Sequence, residues 1–227
     1  MIESFINRLP SLLLSLPIVL LSLSVHEAAH GYMAYRLGDP TARNLGRLTL
    51  NPLKHLDPMG FLCMVLFRFG WAKPVPVTTR NFKNPRRDMA LTGIAGPISN
   101  ILLAFVFVVL LRIYAFFIDP VFLITNRFTE MVSTIAYLFY IFLWSGVTLN
   151  LSLAVFNLIP VPPLDGSRFF YVFLPPKIYF GVMKYERYIS LALMVLLFFG
   201  VLSGPLSWIV DKLAWLMFRM VAMPAWV

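Results

Sequence analysis

Ser24-Val25-His26-Glu27-Ala28-Ala29-His30 sets two imidazoles and a carboxylate into an otherwise apolar run, where ionisable groups are rare and costly. The pattern reads H-E-x-x-H. On a helix of about 3.6 residues per turn, His26 and His30 stand one above the other on one face and reach for a single ion. Glu27 is turned about 100° away and is better placed as a base than as a ligand. Two histidines leave a catalytic zinc site incomplete, because such sites commonly take three protein ligands and keep a fourth position for water. One more His, Asp or Glu must come from elsewhere in the chain.

The surrounding composition is that of a membrane protein. Of 227 residues, 59% are hydrophobic and only 13% charged, against about 25% charged in soluble proteins; the mean hydropathy is +0.80. We expect an all-α polytopic membrane protein, one membrane-embedded domain over 1–227, with no room for a separate soluble domain. The 21 Phe, 11 Met and 5 Trp suit lipid-facing and interfacial surfaces. A net charge of +9 could suggest nucleic acid. The basic residues, however, fall mostly between apolar runs, where they report membrane orientation, so nucleic acid is not an expected partner. Cys63 is the sole cysteine and excludes an intramolecular disulfide. The apolar run after Arg8 carries the HEAAH and has no small-residue cleavage pattern, so it reads as a retained span.

Three spans form the expected core. Span one covers about Leu9 to Leu37 and stops at Gly38-Asp39-Pro40. Counting about 1.5 Å per residue from Ser11 places His26 roughly 22 Å along it, about 8 Å short of the far boundary of a core about 30 Å thick. From Arg36 to Arg87 there are ten Lys/Arg against Asp39 and Asp57. The positive-inside rule puts this segment in the cytoplasm and the N-terminus outside, so the HEAAH opens toward the cytoplasm. Within 39–88, Asn44 to Leu50 and Val75 to Thr79 read as short strands around a re-entrant or interfacial piece, Phe61 to Phe69, too short to span. Span two, about Met89 to Phe117, opens with Gly93-Ile94-Ala95-Gly96-Pro97-Ile98-Ser99-Asn100. Gly96 permits close helix approach, Pro97 frees backbone groups, and Asn100 lies at nearly the histidines' depth, facing them or simply packing helices. Span three, about Met131 to Phe156, follows an outer loop with Asp119, Arg127 and Glu130. A C-terminal segment, 188–223, reads as a helical hairpin or one broken span about Gly204-Pro205.

Span three returns to the cytoplasmic side and ends in Asn157-Leu158-Ile159-Pro160-Val161-Pro162-Pro163-Leu164-Asp165-Gly166. Its prolines forbid a continuing helix, and irregular backbone at that depth needs protein or a water-filled cavity to satisfy it. Asp165 is thereby the expected third zinc ligand, although an Asp before Gly is often only a turn residue. His55, in Asn51-Pro52-Leu53-Lys54-His55-Leu56-Asp57-Pro58, is either an accessory group (second-metal ligand or proton shuttle) or a structural hydrogen-bonder.

Taken together, HEAAH, Gly96-Pro97-x-x-Asn100 and Asn157-x-x-Pro160-x-Pro162-x-x-Asp165-Gly166 resemble the three signature elements of the site-2 protease family of intramembrane zinc metalloproteases, over about residues 10 to 170. The resemblance implies one zinc ion held by His26, His30 and Asp165, Glu27 as catalytic base, and Asn157 near the substrate carbonyl. Asn157 would there donate to an oxyanion, or else merely cap span three. It further implies single-pass or short transmembrane protein substrates in a lipid bilayer, cut where their helix unwinds. An edge of either expected strand could hold the unwound segment. The chain resembles compact bacterial and archaeal members without a PDZ domain, which implies a prokaryotic, multi-pass protein of the cell (plasma) membrane. No oligomeric state follows. The alternative is a polytopic metal-binding or metal-transport protein, which needs access from both faces and no Glu after the first histidine.

Overall fold

The computed structural model describes residues 9–67, 70–117 and 130–222. Its long helices coincide with the apolar runs. α1 (Leu9–Arg36) carries the HEAAH in its second half. It stops where Gly38 takes a left-handed φ of +108° and Asp39 turns its N–H back to the Ala34 carbonyl at 2.9 Å. Two short helices follow, α2 (Thr41–Asn44) and α3 (Pro58–Phe67). Then come the long pair α4 (Pro85–Phe117) and α5 (Glu130–Asn157). The six-residue α6 (Asp165–Phe170) precedes α7 (Pro176–Phe198) and α8 (Ser203–Met220). Among the described residues, Pro85–Phe117 and Thr134–Asn157 are long and apolar enough to cross a membrane. These are spans two and three of the sequence reading; the outer loop with Asp119 and Arg127 lies outside the described residues.

α4 is the central element, packing on α5 and on α1. Ala104, Phe107, Val108 and Leu111 of α4 meet Leu143, Val147 and Leu151 of α5 and Ile18 of α1 in one buried cluster, which α8 extends with Val210, Ala214 and Met217. The ring of Phe107 lies against Gly146, where any Cβ would collide with it. This close crossing brings α4 and α5 together at Asn100, two turns along α4, and Asn150, one turn along α5.

Two expectations change. Neither expected strand forms. Asn44 closes α2, Gly46 turns the chain with a φ of +62°, and the only ladder-type pairing among the described residues is an isolated bridge between Leu56 and Ala72. The reason is where the backbone donors go. Pro74 and Pro76 have none. Val75 N–H is taken by the Glu27 carboxylate at 2.8 Å, and Thr78 N–H by the Asp39 carboxylate at 2.7 Å. Val75 and Thr78 are thus stapled to side chains, Lys73 N–H goes to the His55 carbonyl at 2.8 Å, and no strand forms over 73–78. The second change is at the C-terminus, where two helices are joined by a short turn in which Gly200 has a φ of +69°. The first of them begins at Pro176, a dozen residues before the expected segment. α8 packs on α5, whereas among the described residues α7 has no comparably extensive partner.

Candidate metal centre

The i, i+4 spacing in α1 does bring the two imidazoles over one point. His26 Nε2 and His30 Nε2 lie 3.0 Å apart, and Asp165 Oδ2 lies 3.0 Å from the first and 3.2 Å from the second. Among the described residues these three form the one group of three or more His, Cys, Asp or Glu whose ligand atoms gather within 4.8 Å. Asp165 arrives from the far end of the fold because α6 begins at that residue and docks on α4 beside Gly93. A Cβ on Gly93 would stand 3.1 Å from the Asp165 carbonyl and from Arg168 Cβ. Ser167 secures the turn by donating to the Leu164 carbonyl at 2.6 Å.

The other face of each ring is also fixed. His26 Nδ1–H donates to Asn100 Oδ1 at 2.8 Å, and His30 Nδ1–H to the Thr92 carbonyl at 2.7 Å. Both partners accept, so both Nδ1 atoms carry the proton and both Nε2 atoms present lone pairs. Two lone pairs and a carboxylate oxygen then converge within about 3 Å in a buried place, an arrangement that repels itself unless a cation sits among them. The three separations approach the edge of about 3.3 Å expected for ligands at about 2.0 Å on a tetrahedral ion, and a His/His/carboxylate set suits zinc.

Gly96 explains itself sterically. A Cβ there would stand 2.5 Å from His30 Nε2 and 2.6 Å from His26 Cε1, so α4 can pass beneath the two rings only with hydrogen at this position. Pro97 and Asn100 are fully enclosed beside it. Asn100 continues the network: its Nδ2 donates to Asn150 Oδ1 at 3.1 Å, and Asn150 Nδ2 donates to the Gly146 carbonyl at 2.8 Å.

Glu27 lies outside the converging group, with Oε2 held by Val75 N–H. Arg47 steadies that segment by donating to the Lys73 carbonyl at 2.7 Å. Asn157, the last residue of α5, donates from Nδ2 to the Leu153 carbonyl at 3.0 Å, in keeping with the helix-end alternative. His55 is 2% exposed and donates from Nε2 to the Thr49 carbonyl at 2.8 Å, while its Nδ1 has no partner. It belongs to no metal group among the described residues. His55 does line a cavity of about 680 Å³ bounded by α1, α3, α5 and α8, together with Leu20, Leu23 and Ser24. Asn150, the Thr92 carbonyl and the Val75 N–H escaped the sequence reading. Of these only Asn150, an amide inside an apolar run, left a signal that could have been found.

Fold and site define a helical protein that gathers His26, His30 and Asp165, a set able to hold a metal ion, between two long apolar helices and a docked turn. The model of Peptidase family M50 matches residues 15–203. The chain is 39% identical over 192 residues to YwhC of Bacillus subtilis, covering 84% of this chain and 81% of that protein, whose name assigns it provisionally to the zinc metalloproteases. It is 28% identical over 204 residues to Rip2 of Mycolicibacterium smegmatis, provisionally named in the same way, covering 86% of this chain and 70% of that protein. No solved structure matches the chain. The chain belongs to peptidase family M50, the site-2 protease family, and is a zinc metalloprotease.

Proposed function

We propose that this protein hydrolyses peptide bonds within or near transmembrane segments of membrane-protein substrates, at a group set inside the bilayer and open to the cytoplasm. The carrying observation is the convergence of His26, His30 and Asp165 beside two helices of membrane-crossing length. On this reading the protein is a multi-pass protein of the cell membrane with its N-terminus outside, the orientation that the basic residues between Arg36 and Arg87 favour.

His26, His30 and Asp165 are the proposed zinc ligands, and a bound zinc ion would supply Lewis acidity for the scissile carbonyl and for a water molecule. Glu27 is the proposed general base. The Val75 N–H fixes one of its carboxylate oxygens, leaving Oε1 to take a proton from water and pass it to the leaving amine. Leu20, Leu23, Ser24 and Glu27 follow one another at helical spacing along one stripe of α1, and the first three line the apolar cavity. An extended apolar segment entering there would run along α1 toward the base.

The test is zinc content and cleavage of a transmembrane peptide by the purified chain in detergent, wild type beside Glu27→Gln. Zinc binding should be retained while cleavage falls about 10²- to 10⁴-fold. A wild type that cleaves no peptide but moves zinc across proteoliposomes would establish transport instead.

A further inference from the structure

We propose that Asn150 is a positioning residue for the metal group, setting the orientation of the Asn100 amide and, through it, the proton position on His26. The inference rests on His26 being a metal ligand. Its starting point is a group whose polarity is beyond choice, the Gly146 backbone carbonyl, which can only accept. Asn150 Nδ2 lies 2.8 Å from that oxygen, so the Asn150 amide must point its nitrogen there and turn Oδ1 toward α4. Asn100 meets that oxygen at 3.1 Å and must do so with Nδ2, which leaves its Oδ1 to face His26 Nδ1 at 2.8 Å. An acceptor opposite Nδ1 keeps the proton on Nδ1. His26 Nε2 therefore presents its lone pair to the point shared with His30 and Asp165.

Each member is sealed. Asn100 and Asn150 are 0% exposed and His26 is 5% exposed, so no bulk water competes for these groups. Turning either amide over would set oxygen against oxygen or N–H against N–H in a closed space, where an unmade hydrogen bond is costly. The polarity of one turn of α5 is thus transmitted across α4 to a ligand on α1. Asn150 touches neither the metal position nor substrate in this scheme, and it acts only through Asn100.

The experiment measures zinc affinity of the full chain in detergent by chelator competition, with helix content and thermal unfolding followed alongside. Asn150→Leu should weaken zinc by about 10- to 100-fold, the range for loss of an orienting partner behind a metal ligand. The decisive arm uses the Asn100→Asp background. A carboxylate accepts from His26 Nδ1–H whichever way it is turned, so in that background Asn150→Leu should leave zinc affinity unchanged or improve it. Equal weakening by Asn150→Leu in both backgrounds overturns the proposal, because it would show Asn150 acting through packing. If Asn150→Leu does not fold, the same comparison is made with Asn150→Ala. A wild-type chain without zinc affinity overturns both the metal reading and this proposal, whereas wild-type zinc binding indifferent to Asn150 overturns this proposal alone.

Discussion

At Gly96 a single hydrogen atom separates the observed packing of α4 beneath His26 and His30 from a steric clash. The imidazoles above it cannot swing aside cheaply, because each is tied through Nδ1 to a buried acceptor, Asn100 Oδ1 or the Thr92 carbonyl. Gly96→Ala should therefore cost about 1–3 kcal/mol, the usual range for overpacking, and should weaken zinc by at least about tenfold as the rings are displaced. Denaturant unfolding and chelator competition would measure the two effects. Gly181 in α7 is the control: a Cβ there meets nothing within 4 Å, so Gly181→Ala should leave zinc affinity unchanged and stability equal or slightly higher. Unaltered zinc binding in Gly96→Ala would show that the rings have more freedom than their hydrogen bonds imply. His26 and His30 were legible in the sequence because four-residue spacing is itself geometry. The Val75 N–H that holds Glu27 was not, since a backbone donor has no signature in a residue string.

Among the elements, the segment 73–78 shows why alternating residues did not become a strand. The Val75 and Thr78 donors are spent on Glu27 and Asp39, and Asp39 also accepts from Thr41 N–H at 3.1 Å and from Asn81 Nδ2 at 2.7 Å. Burial acts to raise the Asp39 carboxyl, but the donors of Thr41, Thr78 and Asn81 prevail and hold it below the ordinary value. A carboxylate depressed in the folded state adds stability that is present above its unfolded pKa of about 3.9, and that stability is lost as pH falls through the lower folded value. Asp39→Asn, which turns one acceptor into a donor facing N–H groups, should thus destabilise by about 1–3 kcal/mol at neutral pH. The difference from wild type should shrink as both are taken below about pH 4. Thermal unfolding in detergent from pH 7 downward measures it, and a gap independent of pH would deny Asp39 this role. The helices themselves were readable from apolar runs and their stops. Strands need partners, and no local pattern reports whether a partner exists.

For the whole molecule, the proposed function turns on how an apolar segment would reach a polar group closed on most sides. α4 blocks the approach beneath the imidazoles, and α6 covers them with Asp165. One large opening is the cavity of about 680 Å³ between α1, α3, α5 and α8, within the size range of about 300–1,000 Å³ typical of ligand sites. Ser152 of α5 lines it from an exposed position, its hydroxyl only donating to the Thr148 carbonyl of its own helix, so a larger side chain there fills the cavity without disturbing the core. Ser152→Trp should raise KM for a transmembrane peptide by at least about tenfold, equivalent to about 1.4 kcal/mol of lost binding, while zinc affinity stays at the wild-type value. Ile135, also on α5 and 61% exposed but away from the cavity, supplies the comparison. Ile135→Trp adds similar bulk to the same helix and should leave KM unchanged. Steady-state kinetics with the peptide in detergent or bicelles separates the two. Equal KM values for both variants and wild type would place the substrate's route elsewhere, and the stripe from Leu20 to Glu27 would then be no more than a wall of the fold.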